Sequence, residues 1–275
     1  ASYTVTGSEG ATATVTLTAA LSEGSTTLDV TFSDTAGNSR TAEDLLTVEV
    51  DTTVPTAGFV LSDASLIAGE TFSATVTFSE DVHGVTASSF TSEHAGTITV
   101  TSLSASEYTV SFTPDSDVED ATNVLTLVAG GAMDMAGNPV AETSSGNFAI
   151  DTALPEITSV MLGQAGYIAE ADASTTVTLT ITFAEDMNQT VAPSVTTNAT
   201  STLTAGSGSW ANATTYVMSY TVADADVELT TITVDVSGAQ DVAGNTMGAV
   251  SGQAIDTVVS IDTVAPVASV TLDAD

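Results

Sequence analysis

Two short phrases recur along this chain in a fixed order. The first is a turn, Asp34-Thr35-Ala36-Gly37-Asn38, repeated as Asp134-Met135-Ala136-Gly137-Asn138 and Asp241-Val242-Ala243-Gly244-Asn245. The second follows each turn and ends in proline: Asp51-Thr52-Thr53-Val54-Pro55, Asp151-Thr152-Ala153-Leu154-Pro155 and Asp262-Thr263-Val264-Ala265-Pro266. A spacing of about 100 residues is the length of one small β-sandwich and far exceeds a solenoid repeat. The polypeptide reads as a string of similar beads, and an array of β modules is a device for reach.

Between the phrases, short runs alternate apolar and polar residues. In the second module these are Gly58 to Leu61, Thr71 to Ser79, Thr97 to Leu103, Glu107 to Phe112, Asn123 to Val128 and Asn147 to Ile150. Period two, broken by Gly, Asp, Asn and Ser, predicts antiparallel strands, with Phe72, Ala74, Val76 and Phe78 on one buried face. The third module repeats the plan. Thr75-Val76-Thr77-Phe78-Ser79-Glu80-Asp81-Val82 answers Thr180-Ile181-Thr182-Phe183-Ala184-Glu185-Asp186-Met187, and Tyr108 to Thr113 answers Tyr216 to Thr221. No long amphipathic helix is predicted.

The boundaries expected from this pattern are a partial or short module over 1–53, sandwiches over 54–152 and 153–262, and a joint with one strand, Val267 to Leu272, in 263–275. Two explanations of the odd ends stay open. In one, the segment is cut from a longer repeat protein, which also fits a start at Ala1 without Met. In the other, the strand of residues 267–272 completes the first module of the next molecule by strand addition, giving a head-to-tail fibre of identical subunits.

Charge limits the partners. The chain holds 35 Asp plus Glu against one basic residue, Arg40, for a formal net charge of −34 at pH 7. Such a surface repels nucleic acid and anionic membrane and attracts cations. Yet 43% of the residues are apolar, so this is a folded acidic protein and not an acidic tail. Cysteine is absent, which leaves no disulfide or thiolate site. No apolar run approaches the roughly 20 residues of a membrane span.

Phe78-Ser79-Glu80-Asp81-Val82, Tyr108-Thr109-Val110-Ser111-Phe112-Thr113-Pro114, the Asp-x-Ala-Gly-Asn turn and the closing Asp-Thr-x-x-Pro resemble the bacterial immunoglobulin-like repeats of large cell-surface adhesins, of the biofilm-associated and repeats-in-toxin kinds. The resemblance covers 54–262 well and 1–53 more loosely, where residues 23–32 resemble a smaller repeat type of the same proteins. It implies an all-β fold of tandem immunoglobulin-like antiparallel β-sandwich domains arranged as an extended rod. It also implies an extracellular stalk, often stiffened by calcium at the joints.

In a seven-strand sandwich the chain enters at one pole and leaves at the other. The loops after the second and sixth strands then face the entering joint, which brings Glu80, Asp81 and Asp134 towards Asp51, and Glu185, Asp186 and Asp241 towards Asp151. The loop at the exit pole places Asp115, Asp117, Glu119 and Asp120 near Asp151, and Asp224, Asp226 and Glu228 near Asp262. Calcium takes six to eight oxygens in flexible geometry, while magnesium demands a stricter octahedron, so Ca2+ is the expected ion. The competing reading is structural: the Asp heading each turn caps the turn backbone, the Asp-Thr joint is an extended linker, and the Glu-Asp pairs are solvated loops.

Other residues carry less. His83 and His94 have no second ligand at metal spacing. Trp210, in Gly206-Ser207-Gly208-Ser209-Trp210-Ala211-Asn212, suits either a platform for a sugar ring or packing on its own sandwich. Three Asn-x-Thr sequences, at Asn188, Asn198 and Asn212, match the glycosylation pattern. With 5% aromatic residues there is little from which to build a substrate pocket, so no enzyme is expected. The sequence thus favours a non-enzymatic calcium-stiffened stalk of a bacterial surface adhesin, with the donor-strand filament and a glycan-binding module as alternatives; the partners expected are neighbouring repeats or identical subunits, and cell-surface or biofilm glycans.

Overall fold

The computed structural model describes residues 3–4 and 22–270. The fold is all-β: the helical turns among the described residues are two three-residue 3-10 segments, Ala87–Ser89 and Glu170–Asp172. No described helix is long and apolar enough to cross a membrane. The chain divides into two compact units, one of residues 1–64, 71–113 and 123–147, the other of residues 65–70, 114–122 and 148–275.

The first unit contains a long hairpin, Gly24–Ser33 against Ser39–Val50, joined by the first Asp-x-Ala-Gly-Asn turn, with Tyr3–Thr4 parallel to its first strand. Its four-stranded sheet runs in the order Ala57–Leu61, Phe72–Phe78, Glu107–Pro114, Gly96–Ser102. The expected alternation holds there. Phe72, Ala74, Val76 and Phe78 are buried while Ser73, Thr75 and Thr77 are not, and Tyr108, Val110 and Phe112 of the next strand are buried likewise. Edge-to-face contacts lock this core, Phe72 on Phe112 at 6.0 Å and Phe78 on Tyr108 at 5.8 Å between ring centroids. Each such side chain contributes on the order of 1.5–3 kcal/mol through burial.

The second unit is a sandwich. One layer has the order Ile157–Leu162, Thr176–Phe183, Thr215–Val222, Leu203–Asn212. Two three-stranded sheets supply the remaining strands: Gly166–Ala169, Val259–Asp262, Glu228–Leu229, and Ser194–Thr197, Thr233–Ser237, Val250–Ala254. Their inward residues, among them Val160, Leu179, Ile181, Ile168, Val234 and Ile261, form one buried cluster. A third small sheet in this unit pairs Phe148–Asp151 with Ser65–Ile67 and Glu119–Asn123.

Strand order repeats where the sequence repeats. Ser65–Ile67 runs parallel to Ala149–Asp151, as Gly166–Ala169 runs parallel to Val259–Asp262. Val82 pairs with Asp134, and Met187 with Asp241. Ser65–Ile67 and Gly166–Ala169 were absent from the expected strands, whereas Asn147 to Ile150 was expected and is found as Phe148–Asp151. Of the expected strand Val267 to Leu272, residues 267–270 are described and form none, and Leu272 lies outside the described residues.

Candidate metal centre

The turn that recurs in sequence recurs in geometry. Asp134 Oδ1 accepts the amides of Ala136, Gly137 and Asn138 at 2.9, 2.7 and 2.8 Å, and its Oδ2 accepts Asn138 Nδ2 at 2.7 Å. Asp241 Oδ1 accepts Gly244 and Asn245 amides at 2.6 and 2.8 Å, with Asn245 Nδ2 on its other oxygen at 2.8 Å. Glycine is required at the fourth position because φ there is +97° at Gly137 and +112° at Gly244. Asp34 caps its turn in the same way, from Ala36 and Asn38, but stands in solvent.

In the two later turns the asparagine does a second job. Asn138 Nδ2 donates to the carbonyl of Asp51, and Asn245 Nδ2 to the carbonyl of Asp151, each at 3.0 Å. Asn245 Oδ1 also accepts the amide of Ala68 at 2.7 Å. The turn is thereby clasped to the Asp-Thr phrase that precedes its own repeat, and the buried carboxylate of Asp134 or Asp241 is held beside the joint aspartate.

A third carboxylate completes each group. Asp51, Glu80 and Asp134 present oxygens that all lie within 4.8 Å of one another, and Asp151, Glu185 and Asp241 do the same. The first group lies within the first unit and the second within the second. Asp134 and Asp241 are each only 1% exposed. Thr53 N donates to Asp51 Oδ1 at 3.0 Å, which orients that side chain.

Burial and the crowding of like charges raise three of these acids. Burial, then the charges of Asp241, Asp151 and Glu119, push Glu185 up to about 7. Burial, then Asp51, Asp134 and Glu23, raise Glu80. Asp151 is raised by burial, Asp241 and Glu119. Asp134 goes the other way: burial raises it, but the hydrogen bonds from Asn138 and the turn amides outweigh that and hold it below the usual carboxylate range.

These causes name a fourth acid at each place. Glu119 acts on Asp151 and Glu185, as expected for the loop at the exit pole. Glu23 acts on Glu80 and was missed in the sequence. Its carboxylate accepts the amide and hydroxyl of Thr52 at 2.7 and 2.6 Å, which lower its pKa. The signal that could have found it is positional: Glu23 precedes the first joint by nearly the distance at which Glu119 and Glu228 precede theirs.

The other expected ligands fall elsewhere. Asp81 and Asp186 follow Glu80 and Glu185 directly yet join neither group among the described residues; the carbonyl of Asp186 accepts the amide of Val242 at 3.2 Å. Asp117 and Asp226 occupy matching turn positions with φ of +62° and +50°, a conformation aspartate tolerates. Asp115 meets the joint through its carbonyl, which accepts Thr152 Oγ1 at 2.8 Å. Asp224 Oδ1 faces the amide of Asp226 at 3.4 Å. Asp262 is opposite Glu228 across a strand pair and belongs to no group of three among the described residues. The threonines of the second and third joints are buried parts of the fold, while Thr52 of the first is exposed: Thr152 N donates to Val118 O at 2.7 Å and Thr263 N to Val227 O at 2.9 Å.

Trp210 packs inward. Its ring meets Phe183 and Tyr216 at 5.5 and 5.2 Å, and Nε1 donates to Val191 O at 3.1 Å, while the residue stays half-buried. Neither histidine joins a ligating group among the described residues.

Residues 51–150 match a family model described as a bacterial Ig-like domain, and residues 1–52 match a second model of the same description. Residues 1–150 are bacterial Ig-like sequence. The Ig-like plan continues past them, since the strand order and turn geometry recur through Asp262. A search of the curated proteins gives no match. Among solved structures, the Yersinia pseudotuberculosis adhesin InvE is 15% identical with a TM-score of 0.28, the alignment covering 72% of this chain and 58% of that one. The endo-fucoidan hydrolase MfFcnA4 is 14% identical with a TM-score of 0.24, over 90% of this chain and 34% of that one. Dimeric latent PorU from Porphyromonas gingivalis is 11% identical with a TM-score of 0.26, over 78% and 24%. The chain thus spans less than two thirds of the length of each.

Proposed function

We propose that this chain is a non-enzymatic extracellular stalk segment of a bacterial surface adhesin, in which calcium bound at the two acidic centres orders the connectors between Ig-like repeats. The observation that carries this reading is the recurrence of one constellation at equivalent places: joint aspartate, strand-end glutamate and turn aspartate, with a further glutamate acting on each group. Mutually repelling carboxylates, one of each three buried, suit a divalent ion, and an all-oxygen donor set suits a hard one.

In this reading Asp51, Glu80 and Asp134 hold one ion and Asp151, Glu185 and Asp241 another, with Glu23 and Glu119 adding charge. The ion would neutralise the repulsion and tie the connector to the repeat that follows it, which limits bending. Isothermal titration with calcium chloride, and small-angle scattering with and without chelator, test it. Two bound ions per chain and larger, better-defined dimensions with calcium are expected; unchanged heat and unchanged dimensions would sink the reading.

A second reading, a filament subunit, rests on Val267 and Val270, which are 96% and 85% exposed in a stretch without strand pairing. Two apolar side chains left in water suit donation of a strand to another molecule. If so, heat-resistant polymers form and are lost on deleting 267–272; a strictly monomeric chain at high concentration excludes it.

A further inference from the structure

The fold treats the three Asn-x-Thr sequences differently. Asn198 Nδ2 donates to Thr231 O at 3.0 Å and its Oδ1 accepts the amide of Thr233 at 2.9 Å, so both ends of its side chain are tied to residues 231–233. Asn212 ends the strand Leu203–Asn212 at the tip of the hairpin to Thr215–Val222, in an exposed position. Its Oδ1 accepts the amide and the hydroxyl of Thr214 at 2.9 and 3.2 Å, which fixes the side chain, while its Nδ2 has no partner among the described residues. Asn188 makes the same turn with Thr190, at 3.1 and 2.6 Å, but is half-buried.

A second observation singles out Asn212. Trp210 precedes it by two residues on the same strand, and the ladder shifts register between them: Trp210 pairs with Tyr216 and Asn212 with Thr215. Ala211 is the extra residue of a bulge, a device that re-aims the side chains beside it. Two residues of extended chain span roughly 6–7 Å, so a ring attached at Asn212 reaches the indole. The indole is held in place by Phe183, Tyr216 and its bond to Val191 O, yet the residue is only half-buried and keeps part of its surface in water. At the same spacing Asn188 is preceded by Asp186 and Asn198 by Thr196, neither of them aromatic.

Asparagine in this three-residue pattern, on a surface loop of an exported chain, is the acceptor for an N-linked sugar. We propose that Asn212 is a glycosylation site, its Nδ2 carrying a glycan whose first ring lays its C–H face on Trp210. The donor is a glycosyl diphosphate brought by a separate transferase. The bond from Nδ2 to the anomeric carbon forms as the bond from that carbon to the diphosphate oxygen breaks; the diphosphate leaves with the electron pair, and Nδ2 gives up one proton. The inference depends neither on the acidic centres nor on strand donation.

The test incubates the folded full chain with UDP-glucose and an N-glucosyltransferase chosen because it modifies synthetic peptides of all three Asn-x-Thr sequences, and locates added hexose by peptide mass spectrometry. Measured against its own peptide, Asn212 in the folded chain is expected to react freely. Asn198 is expected to react about tenfold or more slowly, since its side chain must first give up two hydrogen bonds. Trp210 is the chain's one tryptophan, so its fluorescence reports the stacking. Acrylamide quenching should fall by about half on modification, as the sugar covers the wetted part of the indole, and should not change in Asn212→Gln treated in the same way. The proposal is overturned if Asn212 stays bare in the folded chain, if Asn198 keeps pace with it, or if the modified and unmodified chains are quenched alike.

Discussion

Asn245 Nδ2 donates to the main-chain carbonyl of Asp151 at 3.0 Å, a contact that spans 94 residues of sequence and has its counterpart between Asn138 and Asp51. The same side chain caps its own turn and receives the amide of Ala68. One asparagine per repeat therefore sets where the joint aspartate stands relative to the buried turn aspartate.

Because Asn245 is 2% exposed, Asn245→Ala leaves several buried groups without partners. A loss of roughly 2–4 kcal/mol is expected from unpaired donors and acceptors of this kind. Asn38→Ala, at the exposed turn, should cost under about 1 kcal/mol by the same reasoning. Urea midpoints of the two variants compare them directly; equal losses would contradict a special role for Asn245.

Glu185→Gln separates charge crowding from metal binding. In chelator at pH 8 the variant should be more stable than the parent, because a half-buried charge facing Asp241 and Asp151 is gone. In calcium it should be the less stable of the two. An ion at a hundredfold its Kd adds about 2.7 kcal/mol to a chain that binds it at one site, and the variant forfeits much of this. Thermal melts with calcium and with chelator give all four values.

Acidity should act on the chelated chain in a defined direction. Glu185 titrates at about 7 when folded against a reference of 4.5, so between those values the folded state carries more protons than the unfolded state. Stability attributable to this group therefore falls as pH rises from about 4.5 to about 7. Glu23 and Asp34, whose pKa values are lowered by hydrogen bonds from Thr52 and Asn38, work oppositely and lose their contribution as pH falls below the ordinary carboxylate range. Urea midpoints across this range, for the parent and for Glu185→Gln, isolate the Glu185 slope. Calcium should flatten it, since metal binding favours the deprotonated form.

Glycine at the turns is required by backbone conformation alone. At Gly244 φ is +112° and a Cβ would meet nothing within 4 Å, so Gly244→Ala should cost roughly 1–2 kcal/mol with no steric part. Gly58 also has open space but no positive φ, so Gly58→Ala should be neutral or slightly stabilising. Circular dichroism melts suffice, and a loss at Gly58 equal to that at Gly244 would refute the conformational cause.

The all-β class, the buried faces of Phe72–Phe78 and Thr176–Phe183, and the capped turns were all legible in the sequence, because period two and Asp-x-Ala-Gly-Asn are local properties of the backbone. So was the meeting of Asp51 with Glu80 and Asp134, since the order of strands in a sandwich fixes which loops share a pole. Selection among the acids was not. Glu80 enters the group and its neighbour Asp81 does not, while Asp117 and Asp226 are absorbed by turns with positive φ. Glu23 came in from a strand edge without any motif. Pairing between strands separated by tens of residues decides which carboxylates converge, and that depends on packing across the whole sheet, which no short stretch of residues encodes.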